Sequence, residues 1–221
     1  MKYHIFLIFT FLTSINSFNL RATKQSYDSY VLALEWVNGY CQVNECGTVP
    51  DNLEPNIFSI HGLWPSLKSG KMLDACTSGV KIKERKSELF TDLRKYWPSF
   101  RGDYVGFWEH EYNKHGYCMV EEFNWDDGYE HYFKFVLNLY IRQYKDLMKN
   151  AFDGDTSRKL YTISITDMIK RIQKVFKKAT FNMHCKNGFI YEFYFYLNKD
   201  LTPSTDSKVI QDCRNGKLLF K

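Results

Sequence analysis

An α+β fold, an antiparallel central sheet with helices packed on it, is predicted by three features of the sequence. Short runs rich in β-branched and aromatic residues, at 30–37, 57–61 and 189–197, read as strands. Longer amphipathic stretches at 87–97, 126–149 and 166–178 read as helices. These elements do not alternate in strand–helix–strand order, which argues against a parallel sheet built from crossovers. An even set of six cysteines spread along the chain adds disulfide staples to a single domain.

The elements can be taken in order. Residues 1–17 place Lys2 before the apolar run 5–12 and end on small and polar residues at Ser17. The run is too short to span a bilayer, so a signal peptide cleaved near Ser17 or Phe18 is expected, a buried N-terminal strand being the alternative. No later stretch reaches membrane length, and residues 18–221 are expected to form one domain free of membrane spans. Run 30–37 reads as a buried strand. Run 57–61 reads as a strand that Gly62 and Pro65 bring to a close, leaving His61 at its end. Stretch 87–97 stops at Pro98. Stretch 126–149 has Asp126 and Asp127 near its start and Lys145 and Lys149 toward its end, as the helix dipole favours. Stretch 166–178 offers Thr166 as a cap and sets Met168, Ile169, Ile172, Val175 and Phe176 on one side. The aromatic run 189–197 suits a central strand.

Composition bounds function only loosely. The chain carries a formal charge of +5, of which the leader holds only Lys2. That mild positive balance suits a polyanionic partner without selecting one. Cys41, Cys46, Cys76, Cys118, Cys185 and Cys213 form no Cys-x-x-Cys pair, which speaks against a zinc ribbon or a redox motif. In a secreted chain they imply three disulfides, Cys41 with Cys46 being the simplest pair to close.

The densest chemistry lies between Phe107 and Cys118. Twelve residues hold two histidines, two glutamates, a lysine, four aromatics and a cysteine. On a regular helix of about 3.6 residues per turn, His110, Glu111, Lys114 and His115 fall within roughly 140° of one another. Two alternatives stand beside a catalytic face: an ordinary solvated face, and a zinc site. The zincin pattern needs histidines four apart, whereas His110 and His115 are five apart, which splays the rings.

Two segments together carry a resemblance. Phe58-Ser59-Ile60-His61-Gly62-Leu63-Trp64-Pro65 and Phe107-Trp108-Glu109-His110-Glu111-Tyr112-Asn113-Lys114-His115-Gly116-Tyr117-Cys118 resemble the two active-site segments of the ribonuclease T2 family, secreted and lysosomal or vacuolar acid endoribonucleases. Leu32-Ala33-Leu34-Glu35-Trp36 resembles that family's first core strand, and Trp97-Pro98 a similar pair. By likeness the disulfides would be Cys41–Cys46, Cys76–Cys118 and Cys185–Cys213. The resemblance implies cleavage of RNA through a 2′,3′-cyclic phosphate, with His115 as base and His61 as acid. The chemistry agrees, since imidazole titrates near 6.5 and suits either task. Lys114 would stabilise charge on the phosphorane, Glu111 would donate a hydrogen bond or position its neighbours, and His110 would touch phosphate. For His110 a structural hydrogen bond is the alternative.

Trp64 resembles the family's stacking residue for one base, and Phe107 is placed to stack another or to fill the core. Two positions depart from the family pattern: Ser66 where Asp is frequent, and Glu35 where Gln is frequent. No base preference therefore carries over, and broad specificity is expected. The resemblance implies no metal and no cofactor, because the nucleophile belongs to the substrate; DNA lacks it and should be inert. It further implies a monomer that is secreted or held in a lysosomal or vacuolar lumen. The competing reading is a catalytically silent RNA-binding or signalling protein of the same fold, which would tolerate loss of either histidine.

Overall fold

The computed structural model describes residues 26–47, 53, 56–73, 76–152, 160–205, 213 and 215–219. The expected leader, 1–17, lies outside the described residues. Among the described residues six strands form one sheet: β1 (Ser29–Glu35), β2 (Ser59–Ser66), β3 (Leu160–Ser164), β4 (Phe181–Lys186), β5 (Phe189–Asn198) and β6 (Asn215–Leu219). Their order is β2-β1-β5-β6-β3, with β4 also paired to β5. Every pairing is antiparallel except the short parallel contact of β5 with β6. The helices are α1 (Val37–Val43), α2 (Glu88–Tyr96), α3 (Tyr104–Glu111), α4 (Tyr117–Phe123), α5 (Tyr129–Gln143), α6 (Leu147–Ala151) and α7 (Ile165–Val175), with a π turn, Tyr112–Gly116, joining α3 to α4. The α+β expectation holds.

Alternation along β1 and β5 sorts the two sheet faces. Tyr30, Leu32, Leu34, Phe193, Phe195 and Leu197 face the main core, with Phe133, Val136 and Tyr140 of α5. Val31, Ala33, Trp64 and Tyr196 form a smaller cluster on the other face. Three disulfides, Cys41–Cys46, Cys76–Cys118 and Cys185–Cys213, pair as the family likeness implied.

Some boundaries differ from expectation. The second strand does not end at His61; β2 runs on through Gly62 and Pro65 to Ser66. As an edge strand it needs no ladder bond from the proline nitrogen on its free side. Ser164, not Thr166, caps α7 by accepting from the Asp167 amide at 3.1 Å. Stretch 126–149 is two helices, α5 and α6, separated at residues 144–146.

Candidate active site

His61 owes its direction to a β-bulge. Across β1 and β2, Ala33 pairs with Gly62 and Leu34 with Ile60, so His61 is the residue without an opposite number. A bulge inserts one residue and re-aims the side chains around it. Here it lets Ile60 and Leu63, three apart, both enter the main core while Gly62 and Trp64 face the other side. The strand's carbonyls are tied down by side chains. Trp97 Nε1 donates to His61 O at 2.7 Å, Tyr132 Oη to Leu63 O at 3.1 Å, and Tyr140 Oη to Phe58 O. Trp108 Nε1 in turn donates to Trp97 O at 2.8 Å. Satisfying the carbonyls beside the bulge in this way fixes the backbone that carries the imidazole.

The second segment is not one regular helix. At the π turn the Tyr117 amide bonds Tyr112 O, five residues back. The expected face is split between core and solvent. Glu111 and His115 are buried, at 1% and 3% exposure, while His110 and Lys114 face solvent. Gly116, which closes the turn, lies flat against Tyr132, where a Cβ would sit 2.6 Å from the ring. Gly62 is equally constrained, since a Cβ there would lie 2.2 Å from Glu111 Oε2 and 2.3 Å from Trp64 Nε1.

These elements meet around Trp64. Its indole N–H donates to Glu111 Oε2 at 2.8 Å. Its ring lies 5.0 Å from that of His61 and 5.2 Å from that of His115, with Tyr194 at 5.2 Å edge-on. His61 Nε2 is 3.6 Å from Glu111 Oε1, and Phe107 lies 5.6 Å from the same imidazole. Trp64 is buried and covers His115, so the indole expected to stack a base is packed inward in this structure.

The two imidazoles sit in opposite fields. Burial opposes charge on His61, yet the carboxylates of Glu35, Glu111 and Glu192 outweigh it and hold its pKa up at about 10. Burial also acts on His115, and there Lys114, His110 and His61 add to it, pushing it down to about 3. Burial raises Glu111 against the pull of His61, the Trp64 hydrogen bond and Lys114. His110 is lowered, by burial first and then by Lys114 and His61.

A sequence profile of the Ribonuclease T2 family matches residues 27–213. The chain belongs to the ribonuclease T2 family. Ribonuclease Rh of Rhizopus niveus is 31% identical over 225 residues, covering 92% of this chain and 87% of that protein. Ribonuclease 3 of Arabidopsis thaliana is 31% identical over 127 residues, 55% of this chain and 57% of that protein. The match thus spans little more than half the length of that relative. Among solved structures, an RNase-related protein from Calystegia sepium superposes with a TM-score of 0.72 at 23% identity, over 89% of this chain and 99% of that one.

Of the two departures from the T2 pattern, Ser66 is structural. It is buried, and Ser29 Oγ donates to its carbonyl at 3.0 Å. Glu35 instead reaches the site, together with Glu192, which the sequence reading passed over. Both line a cavity of about 400 Å³ beside His61, shared with Tyr40, Phe100, Arg101 and Phe107. Each is a lone acid in an apolar strand run, and that was the available signal. The structure also reveals Asn113 as a clamp. Its side chain accepts from the Val80 amide at 3.0 Å and returns a bond to Val80 O at 2.9 Å, pinning the π turn to the preceding segment.

Glu35, His61 and Glu192 offer ligand atoms within 4.8 Å of one another. The Nδ1···Oε1 distance from His61 to Glu192 is 2.5 Å. Two ligands about one tetrahedral zinc stand roughly 3.3 Å apart, given bonds near 2.0 Å. The spacing seen fits a shared proton.

Proposed function

We propose that this chain is an endoribonuclease that cleaves single-stranded RNA by metal-independent transesterification, with broad base acceptance. The observation that carries the reading is the pair of imidazoles from distant segments that flank one indole, 5.0 and 5.2 Å from its ring. In the first step the neutral His115 takes the proton of the ribose 2′-hydroxyl. The 2′-oxygen bonds to phosphorus, the bond to the 5′-oxygen breaks, and the imidazolium of His61 protonates the leaving oxygen. Water then opens the 2′,3′-cyclic phosphate with the roles exchanged, leaving a 3′-phosphate. Lys114 and Glu111 serve the non-bridging oxygens, and His110 touches phosphate from the solvent side. DNA lacks the nucleophile and is not cut.

The acid protonates the leaving nucleoside's oxygen, so the cavity beside His61 receives that nucleoside, with Phe107 as its aromatic wall. Trp64 stacks the other base once its indole leaves His115. That movement is the reading's main demand. A chain in which the indole stayed shut would bind RNA without cutting it, which is the silent reading. The order of the pKa values supports the role assignment, for a base is useful above its own pKa and an acid below its own. Three disulfides fit an oxidising destination, secreted or in a lysosomal or vacuolar lumen, reached by way of the 1–17 leader. The unit of action is the monomer.

Yeast RNA digested at pH 5 in EDTA tests the proposal. Cyclic and 3′-phosphate products support it. Activity that EDTA abolishes would point to a metal hydrolase, and binding without turnover at any pH to the silent protein.

A further inference from the structure

The sheet register sets two carboxylates side by side behind His61. Glu35 of β1 pairs directly with Glu192 of β5, and alternation puts both on the face that bears Trp64. Like charges directly opposite on neighbouring strands destabilise a sheet. Both side chains are nonetheless buried, each at 6% exposure. Such a pair needs a proton or a cation between its members, and the bulge in β2 delivers the His61 ring to that spot. Nδ1 is 2.5 Å from Glu192 Oε1 and 3.8 Å from Glu35 Oε1. The other nitrogen, Nε2, points to the Glu111 side, where the reaction is proposed to occur.

Resting on the reading of His61 as the acid, we propose that Glu192 and Glu35 are its positioning residues. Glu192 holds the ring through Nδ1–H so that Nε2 faces the leaving oxygen, and Glu35 is a reserve carboxyl that keeps the ring protonated as pH rises. Which nitrogen of a histidine carries the working proton is set by the bond its other nitrogen makes. Glu192 makes that bond. Glu35 makes a longer contact, and burial, with the nearby Glu192 and Glu111, raises its pKa to about 8 against the pull of His61 and Arg101. It therefore holds its own proton in acid and gives it up in mild alkali, adding negative charge beside the ring at a pH where a lone imidazole, titrating near 6.5, has already lost its proton. A glutamine, frequent in the family at this position, has no proton to give up.

Among the described residues, the following groups act on His61 or on its acidic neighbours. Glu35 comes from β1, Glu192 and Tyr194 from β5, and Glu111 and His110 from α3. Lys114 and His115 come from the π turn. Tyr40 of α1 and Arg101, which follows α2, act on Glu35.

The test compares the rate–pH profiles, in EDTA, of wild type, His61→Ala, Glu192→Gln, Glu192→Asp and Glu35→Gln. Two substrates are used: a dinucleoside phosphate, and uridine 3′-(4-nitrophenyl phosphate). The nitrophenolate leaves without a proton, so a defect confined to the acid disappears on that substrate. With the dinucleoside phosphate, Glu192→Gln should lower the alkaline limb by at least one pH unit, with a several-fold loss at pH 5 that grows about tenfold for each pH unit above the lowered limb. Glu192→Asp should recover part of the shift, and Glu35→Gln should give a smaller downward shift with a few-fold loss at pH 5. On the nitrophenyl ester all three carboxyl variants, and His61→Ala, should approach wild type. If His61→Ala is rescued but the carboxyl variants keep the wild-type limb, the positioning role is overturned. If His61→Ala is not rescued, His61 is not the acid and the underlying reading falls with it. Should Glu192→Gln fail to fold, Glu192→Asp and Glu35→Gln read the same limb.

Discussion

The strand that carries His61 and the turn that carries His115 place the same side chain in opposite states. On the sheet, the imidazole is partly buried and faces three carboxylates. On the π turn, it is sealed beneath an indole with cationic groups nearby. The difference does not come from accessibility, since the more accessible ring is the charged one only because of its neighbours. It comes from which residues the two elements are packed beside: Glu35 of β1, Glu192 of β5 and Glu111 of α3 for one, Lys114, His110 and His61 for the other.

The largest expected effect removes one side of that contrast. His115→Ala should lower the rate of RNA cleavage by on the order of 10³–10⁴-fold while the melting temperature stays within a few degrees or rises. Initial rates and a thermal melt measure both. Turnover near wild type would discard His115 as the base.

Next in size is Gly62→Ala, which strikes the junction between the two elements. The new methyl would collide with Glu111 Oε2 and with the indole of Trp64. Either the 2.8 Å bond between them breaks or the bulge is displaced. Activity should fall by about a hundredfold, with a destabilisation of roughly 1–3 kcal/mol seen in denaturant melts. A silent substitution would mean that the indole is not held in this position.

These two expectations also mark what was legible in the sequence. Glu111, Lys114 and His115 stood out because titratable residues are so dense between 107 and 118, and His61 through the likeness of segment 58–65 to the family's. The way they are aimed was not readable. The bulge exists only in the register between β1 and β2, and the sequence of β2 alone, with Gly62 and Pro65, reads as the end of a strand. The face predicted to carry four groups straddles the core boundary, so that Glu111 and His115 are buried and His110 and Lys114 exposed, which spacing alone did not reveal. Glu192 and Glu35 act through a cross-strand pairing about 157 residues apart in sequence, which no local pattern encodes. Helical stretches such as 87–97 were easier, since amphipathic stripes are local, but the cap of α7 fell on Ser164 and not on Thr166.

A smaller effect separates the two rings through stability. His115 is held below its ordinary value, so the unfolded chain binds its proton more readily than the folded one. Its contribution is present above about pH 6.5 and is lost as pH falls toward about 3. His61 is raised, so its contribution is full below its unfolded value and disappears as pH climbs through about 10. Denaturant midpoints from pH 3 to 7 should therefore fall less steeply in His115→Gln than in wild type, whereas His61→Gln should alter the slope between pH 7 and 10. Equal slopes in all three proteins would mean that the rings are not held in these states.

The smallest expected effect tests whether the contrast belongs to charge or to general packing. Asp103 caps α3 from outside the site, accepting from the Gly106 amide at 2.9 Å. Asp103→Ala should cost about 1 kcal/mol, the usual value of such a cap. It loosens the helix that leads into the π turn without touching either imidazole or any carboxylate around them. Both limbs of the rate–pH profile should then stay where they are in wild type, with only the thermal midpoint reduced. If instead the loss of this remote cap moves the acid limb, the state of His115 depends on how tightly α3 is wound rather than on the groups beside the ring, and the electrostatic comparison between the two elements would have to be replaced by a mechanical one.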